Sequence, residues 1–143
     1  TGFGVSPCMR VNLLVNDFTH QAMTNKCLNI FQADFRRTFI HVKDMSSAFI
    51  FGINNYKKMS HNIYNVGANN LNWTKRELAE YIAERTGALV NYAETGVDLD
   101  QRDYEVDYSR IQDDGFGCSV TMEEGIDELL KVVPLLQIRH QYA

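Results

Sequence analysis

Segments of helical and of strand-like periodicity alternate along the whole chain of 143 residues, and this alternation restricts the fold more than any other feature. Apolar residues recur at helical spacing over residues 11–22 and 45–56. Short segments typical of strands lie at residues 28–31, 37–42, 62–66 and 89–93. Strands that alternate with helices predict an α/β fold.

Two further helices are predicted to begin at capping boxes, in which a threonine and a glutamate three residues later each bind a free backbone N–H. Thr74 with Glu77 forms the first box and Thr121 with Glu124 the second. Asp44 is predicted to cap the helix that follows residues 37–42. Residues 109–114 read as a short helical turn, and residues 104–107 as extended chain. Gly87 and Pro134 are the expected helix ends.

The prediction is therefore one α/β domain over residues 1–143, with four to five short strands and four to five helices. The composition, 45% apolar and 22% charged, is that of a soluble globular domain. No apolar run approaches the roughly 18 to 20 residues of a membrane span, and no signal-peptide pattern occurs, so a cytoplasmic protein without a membrane partner is expected. The three cysteines are expected to be reduced thiols.

Charge is distributed unevenly along the chain. Residues 1–75 hold eight Lys/Arg against three Asp/Glu, whereas residues 76–143 hold six against fifteen, and the net charge is −4. An acidic chain without a basic stripe is a poor candidate for binding nucleic acid. The basic half is still able to hold one small anion.

The usual signatures of catalysis and metal binding do not occur in the sequence. It contains no glycine-rich phosphate loop, no G-x-S-x-G and no H-E-x-x-H. The four histidines are scattered without a pair at helical spacing, which predicts no metal site and structural roles for each.

Two places concentrate anion-binding chemistry. In the first, a fixed guanidinium of the Arg36-Arg37 pair could fork onto a diphosphate while Phe39 covers a base; alternatively, Arg36 and Arg37 are a solvated pair on an edge strand and Phe39 lies in the core. In the second, residues 98–107, four aspartates surround Arg102. Carboxylates there could accept sugar hydroxyls while Arg102 takes phosphate, or the segment is an ordinary solvated loop.

Several motifs in order resemble the C-terminal half of the NAD-dependent epimerase/dehydratase family, the extended short-chain dehydrogenases that act on nucleotide sugars. They are Arg37-Thr-Phe-Ile-His-Val-Lys-Asp44, Ile63-Tyr-Asn-Val-Gly67, Trp73-Thr-Lys-Arg-Glu-Leu-Ala79 and Val106-Asp-Tyr-Ser-Arg110. Thr1-Gly-Phe-Gly4 is similar to the family's N-V-Y-G segment. The resemblance thus extends over nearly the whole chain.

The resemblance implies a two-lobed enzyme, in which a Rossmann lobe binds NAD and a C-terminal lobe binds a nucleotide-diphosphate sugar. This sequence has no G-x-x-G-x-x-G loop and no Y-x-x-x-K pair. It is therefore expected to supply the substrate-binding lobe, to carry no catalytic residue, to bind no NAD by itself, and not to be catalytically self-sufficient.

Site residues follow from the same resemblance. Arg37 matches the family's diphosphate-binding arginine, Phe39 the aromatic residue beside it, and Asn16 a position that lines the nucleotide pocket or else lies on the helix surface. Where many members read R-P-G-D, this chain reads Val97-Asp98-Leu99-Asp100, so Asp100 keeps the acidic position, and Arg102 is expected to replace the missing arginine from a shifted register.

An alternative function comes from another class. The chain could be a stand-alone, non-catalytic module that self-associates, or that pairs with a Rossmann lobe, through the apolar face such a lobe would cover.

Overall fold

A computed structural model describes residues 1–93 and 103–136 of the chain. These residues form a small α/β fold with six short strands, six helices and two 3₁₀ turns. The strands are β1 (Gly2–Phe3), β2 (Cys27–Ile30), β3 (Arg36–Thr38), β4 (Ile40–His41), β5 (Asn72–Thr74) and β6 (Leu89–Tyr92). The helices are α1 (Leu14–Thr24), α2 (Val42–Asn54), α3 (Tyr56–Met59), α4 (Lys75–Thr86), α5 (Ser109–Asp113) and α6 (Met122–Val132), and the 3₁₀ turns span Asn69–Leu71 and Val133–Leu135.

The strands pair two by two. β1 and β4 are parallel, β2 and β6 are parallel, and β3 and β5 are antiparallel. Each parallel pair joins strands that are distant in sequence, with Cys27 opposite Leu89 in one and Gly2 opposite Ile40 in the other. The fold class predicted from the alternating pattern is confirmed, with more and shorter elements than expected.

The main core lies between α1, α4 and α6 and the β2–β6 pair. Both capping boxes form as predicted, with the threonine hydroxyl accepting from the glutamate N–H in each. Behind the first box, the side chains of Leu78, Ala79 and Ile82 are fully buried, and Gly87 ends α4 in the left-handed conformation, at φ 69°. A second, smaller cluster contains Tyr108, Ile111 and Phe116.

The predicted strand at residues 37–42 is divided into two, because its halves pair with different strands. β3 pairs with β5, whereas β4 pairs with β1. Phe39 lies at the change of partner, and its N–H donates to the carbonyl of Leu71 at 3.1 Å. The strands β1 and β5 have no clear signal in the sequence, since each has two or three residues.

The cap of α2 differs from the prediction. His41, in extended backbone, is the N-cap, and its Nδ1 accepts from the N–H of Lys43 at 3.2 Å. Asp44 is the third residue of the helix and is buried. Its carboxylate accepts from the N–H and hydroxyl of Ser119 at 3.0 and 2.8 Å and from the N–H of Val120 at 3.0 Å. Asp44 therefore joins α2 to a distant segment instead of capping the helix.

The predicted strand at residues 62–66 does not form. No strand within residues 1–93 and 103–136 pairs with it, and Ile63 is 85% exposed. A strand requires a partner for its ladder, which alternation of side chains alone does not supply. α2 also begins three residues earlier than predicted and ends at Asn54, and the separate turn α3 follows.

Within the described residues, no helix has the length and apolar character needed to cross a membrane.

Candidate functional site: a buried arginine beside acidic chain

Arg37 occupies the middle of β3, directly opposite Trp73 of β5. The residue is only 5% exposed, although an arginine usually remains in solvent. Its Nη1 donates to the carbonyl of Arg36 at 3.0 Å. The alternative of a solvated arginine pair is therefore wrong for Arg37. The neighbouring Arg36 does lie on the surface, with a side chain that is 42% exposed.

Residues 103–107, the described part of the acidic segment that forms the second candidate site, contact β3. Asp103 accepts the backbone N–H of Arg36 through Oδ1 at 2.8 Å. The Arg36 guanidinium donates to Glu105 Oε2 at 3.1 Å. These contacts join residues that are 67 and 69 positions apart, so the structure brings Asp103 and Glu105, from the described part of the second predicted place, to the first.

The chain then continues along the β3–β5 pair. Asn72 of β5 donates from Nδ2 to the carbonyl of Val106 at 3.2 Å, and the hydroxyls of Thr38 and Tyr108 are hydrogen-bonded. Hydrogen bonds from the hydroxyl and backbone N–H of Ser109 hold the pKa of Asp107 below its ordinary value. The region is therefore tied to β3 by polar contacts at several points.

Lys75 is a second buried basic residue, at the end of β5, and no motif in the sequence singles it out. It is the first residue of α4, directly after β5, and is 3% exposed. Its Nζ donates to the carbonyl of Phe31 at 3.2 Å. A lysine in the first turn of a helix opposes the helix dipole, so its position after the Thr74 cap was an available signal.

Phe39 lies in the core at 1% exposure, with its ring edge-on to Phe3 at a centroid distance of 6.4 Å. The structure therefore shows the second alternative stated for Phe39, in which the ring lies in the core beneath β3 and β4. A contact between Phe39 and a base stays a prediction, and it requires the ring to leave this packing.

Asn16 is buried in α1, and both its amide oxygen and its amide nitrogen are hydrogen-bonded within the chain. Its Oδ1 accepts from the N–H of Gly4 at 3.1 Å, and its Nδ2 donates to the carbonyl of Arg10 at 2.9 Å. The surface alternative is therefore wrong, and a nucleotide contact stays a prediction. Asp100 and Arg102, the other two predicted site residues, lie outside the described residues.

The histidines and acids do not assemble a metal centre in the part of the chain that the structure describes. His41 is fully buried, with Nε2 3.1 Å from Glu128 Oε2. The three cysteines are free thiols, and burial raises the pKa of Cys118 to about 11.

Three of the described glycines leave no room for the phosphates of a dinucleotide. A Cβ at Gly4, Gly67 or Gly125 would collide with the side chains of His41, Tyr108 or Phe3, respectively. The space next to each of these three glycines is thus occupied by another side chain of the same protein.

No known protein-family profile matches this sequence. Solved structures do match. A dTDP-glucose 4,6-dehydratase from Bacillus anthracis, in complex with NAD, superposes with a TM-score of 0.76 at 22% identity, over 96% of this chain and 43% of that one. The UDP-glucose 4-epimerase of Thermus thermophilus, also with NAD, gives 0.75 at 17% identity, over 93% of this chain and 44% of that one.

A third match is the UDP-glucose 4-epimerase of Thermotoga maritima with UDP-glucose, which has a TM-score of 0.73 at 21% identity. It covers 94% of this chain and 44% of that enzyme. The chain has the fold of one part of these enzymes. It spans less than half of their length, and at this level of identity the likeness concerns the fold.

Proposed function

We propose that this chain is the nucleotide-sugar-binding part of an NAD-dependent epimerase or dehydratase and does not carry out the reaction by itself. The observation that carries the proposal is the buried guanidinium of Arg37, within a fold that a UDP-glucose-bound epimerase shares. The motifs that resemble the family contain this same arginine.

The burial of Arg37 suits it to a diphosphate. A guanidinium removed from water interacts more strongly with an anion than an exposed one, because the local dielectric constant is lower. Its planar donors match two phosphate oxygens at once. β3 and its pairing with β5 fix the backbone that carries the side chain, so little ordering is required upon binding.

The acidic chain beside β3 suits the sugar. Carboxylates accept hydrogen bonds from hydroxyls, and Asp103 and Glu105 already lie beside Arg36 of β3. NAD would be held by a part of the enzyme outside these 143 residues. When bound, it would oxidise a sugar hydroxyl and later return the hydride. The present chain would contribute binding energy and orientation.

Calorimetric titration of the chain with UDP-, dTDP-, GDP- and CDP-sugars tests the proposal. We expect one nucleotide to bind, and Arg37→Ala to weaken it by about 2 kcal/mol or more, which is roughly thirtyfold. Arg37→Lys should recover only part of this loss, because an ammonium keeps the charge without the planar fork.

Arg36→Ala is the matched control, since it removes the neighbouring exposed guanidinium from the same strand. Circular dichroism should establish that all variants remain folded. Equal losses for Arg36→Ala and Arg37→Ala, or an unchanged dissociation constant for Arg37→Ala, would contradict the assigned role.

A further inference from the structure

Arg37 and Lys75 lie on the same face of the β3–β5 pair. Arg37 stands directly opposite Trp73 in the ladder. The ladder continues for one pair beyond the end of β5, because the N–H of Lys75 donates to the carbonyl of Phe35 at 3.2 Å. Residues two positions apart in a strand point to the same side of a sheet, so Lys75 shares the face of Trp73 and Arg37. Such diagonal neighbours across a ladder lie about 7 to 8 Å apart.

The two sides of this strand pair differ in their surroundings. On one side, Arg36 is exposed, and its guanidinium is paired with Glu105. On the other side, Arg37 and Lys75 are only 5% and 3% exposed. Basic residues are seldom buried to this degree, and here two of them share one face. An anion with more than one negative charge is the ligand that suits such a face, because the attraction is strong where water is excluded.

The head group of Lys75 is held beside the end of β2. Its Nζ donates to the carbonyl of Phe31, the residue that follows β2, at 3.2 Å. An ammonium has three donors, so this contact is compatible with a further one to a phosphate oxygen. Because the helix dipole of α4 disfavours a positive charge at this position, the fold alone gives no reason for a basic residue there.

A buried acceptor without a donor lies next in the chain. Gln32 follows Phe31, and its Oε1 is buried and accepts no hydrogen bond in the part of the chain that the structure describes. The backbone of Gln32 has φ 50°, in the left-handed region that residues other than glycine seldom adopt. Strained backbone of this kind is concentrated at ligand sites. A buried acceptor that lacks a donor destabilises the fold, and a ligand hydroxyl would supply the donor.

We propose that Lys75 is a second phosphate-binding residue and that, together with Arg37, it holds one diphosphate group, with one phosphate at each basic side chain. The inference rests on the proposed function, because it assigns a further residue to the same nucleotide-sugar site. The planar guanidinium of Arg37 binds two oxygens of its phosphate, whereas the ammonium of Lys75 acts as a compact charge. A single phosphate makes full use of only one of the two positions, so the pair selects a diphosphate over a monophosphate.

Calorimetric titration with inorganic pyrophosphate and inorganic phosphate tests the inference without a base or a sugar. We expect the wild-type chain to bind pyrophosphate at least about tenfold more tightly than phosphate. Lys75→Gln removes the charge but keeps a donor for the carbonyl of Phe31, and it should weaken pyrophosphate binding at least about tenfold. Lys75→Met, a second neutral variant, should have the same effect. Lys75→Arg should retain the preference for pyrophosphate.

Arg76→Gln is the matched control, because Arg76 is the next residue of α4 but is 39% exposed and paired with Asp34 at 2.8 Å. Circular dichroism should establish that the variants remain folded. Three results would each overturn the inference: an unchanged pyrophosphate dissociation constant in a folded neutral variant of Lys75, equal losses for Arg76→Gln and Lys75→Gln, or equal wild-type affinities for pyrophosphate and phosphate.

These results are distinct from a failure of the proposed function. If a nucleotide sugar binds and depends on Arg37, while the neutral variants of Lys75 bind pyrophosphate as the wild type does, only the role of Lys75 is wrong. Conversely, pyrophosphate binding that depends on Lys75, in a chain that binds no nucleotide sugar, would contradict the proposed function and support the paired basic residues.

Discussion

His41 brings a titratable ring into the core at the point where α2 begins. The groups that face it are Glu128, Lys43 and Asp44. Burial lowers the pKa of His41 below its ordinary value, and this effect exceeds the opposing attraction of Glu128. The neutral ring suits the structure, because its Nδ1 must accept the N–H of Lys43.

A lowered pKa of His41 makes the stability of the chain depend on pH. The unfolded chain, with an ordinary histidine pKa of about 6.5, binds the proton before the folded chain does. The free energy of unfolding should therefore be highest above that pH and fall as the pH drops below it.

Urea unfolding at about pH 7.5 and about pH 5.5 measures this dependence. The comparison variant is His41→Asn, because asparagine is also a good N-cap and does not titrate. The loss of stability on acidification should be smaller in the variant than in the wild type. Identical losses would mean that His41 does not contribute.

At the scale of elements, the capping boxes of α4 and α6 are the strongest local determinants. In each, the threonine hydroxyl accepts from the glutamate N–H, and the glutamate carboxylate accepts from the threonine N–H. Thr74→Ala and Thr121→Ala should each reduce the free energy of unfolding by about 1 kcal/mol.

Chemical denaturation of the two alanine variants and of Thr74→Ser and Thr121→Ser checks this expectation. Serine keeps the hydroxyl and should retain most of the stability. If the serine and alanine variants were equally destabilised, the hydrogen bonds of the box would not be the cause.

The sequence predicts those elements whose determinants are local. The boxes at Thr74 and Thr121, the end at Gly87 and the strand near residue 28 depend on neighbouring residues, and all four are found. Residues 62–66 have the alternation of a strand, but pairing depends on a remote partner that the described chain does not provide. The choice of His41 over Asp44 as the cap depends on the distant Ser119, which binds the aspartate.

The candidate site is predictable to a similar extent. Arg37 stands out by residue type and motif, yet its burial depends on packing that periodicity does not reveal. The approach of Asp103 and Glu105 to Arg36 spans more than 60 residues of sequence. Contacts of this range follow from the whole fold, so local patterns in the sequence do not predict that Asp103 and Glu105 lie beside Arg36.

On the scale of the whole molecule, the two apolar clusters share a neighbour. Cys118 packs against both the main core and the smaller cluster of Tyr108, Ile111 and Phe116. Asp44 adds a polar link between α2 and residues 119–120. A cluster of three buried residues is too small to be stable alone, so the two should unfold together.

Differential scanning calorimetry tests this coupling. We expect one transition whose calorimetric enthalpy equals its van't Hoff enthalpy. Ile111→Ala, in the small cluster, should shift the whole transition to lower temperature, with a cost of about 2 to 5 kcal/mol. A separate early transition in this variant would show that the clusters unfold independently.

The register of β3 and β5 also provides the chain with an internal optical reporter. Trp73 is the chain's one tryptophan, and it lies directly across the ladder from Arg37. Its indole is anchored by a 3.0 Å hydrogen bond from Nε1 to the carbonyl of Asn70 and by edge-on contact with Tyr81. Paired residues share one face of a sheet, so an anion that reaches the guanidinium alters the electric field around the indole. Binding of the proposed anion at Arg37 should therefore change the tryptophan emission of the unlabelled protein, and fluorescence titration measures this change.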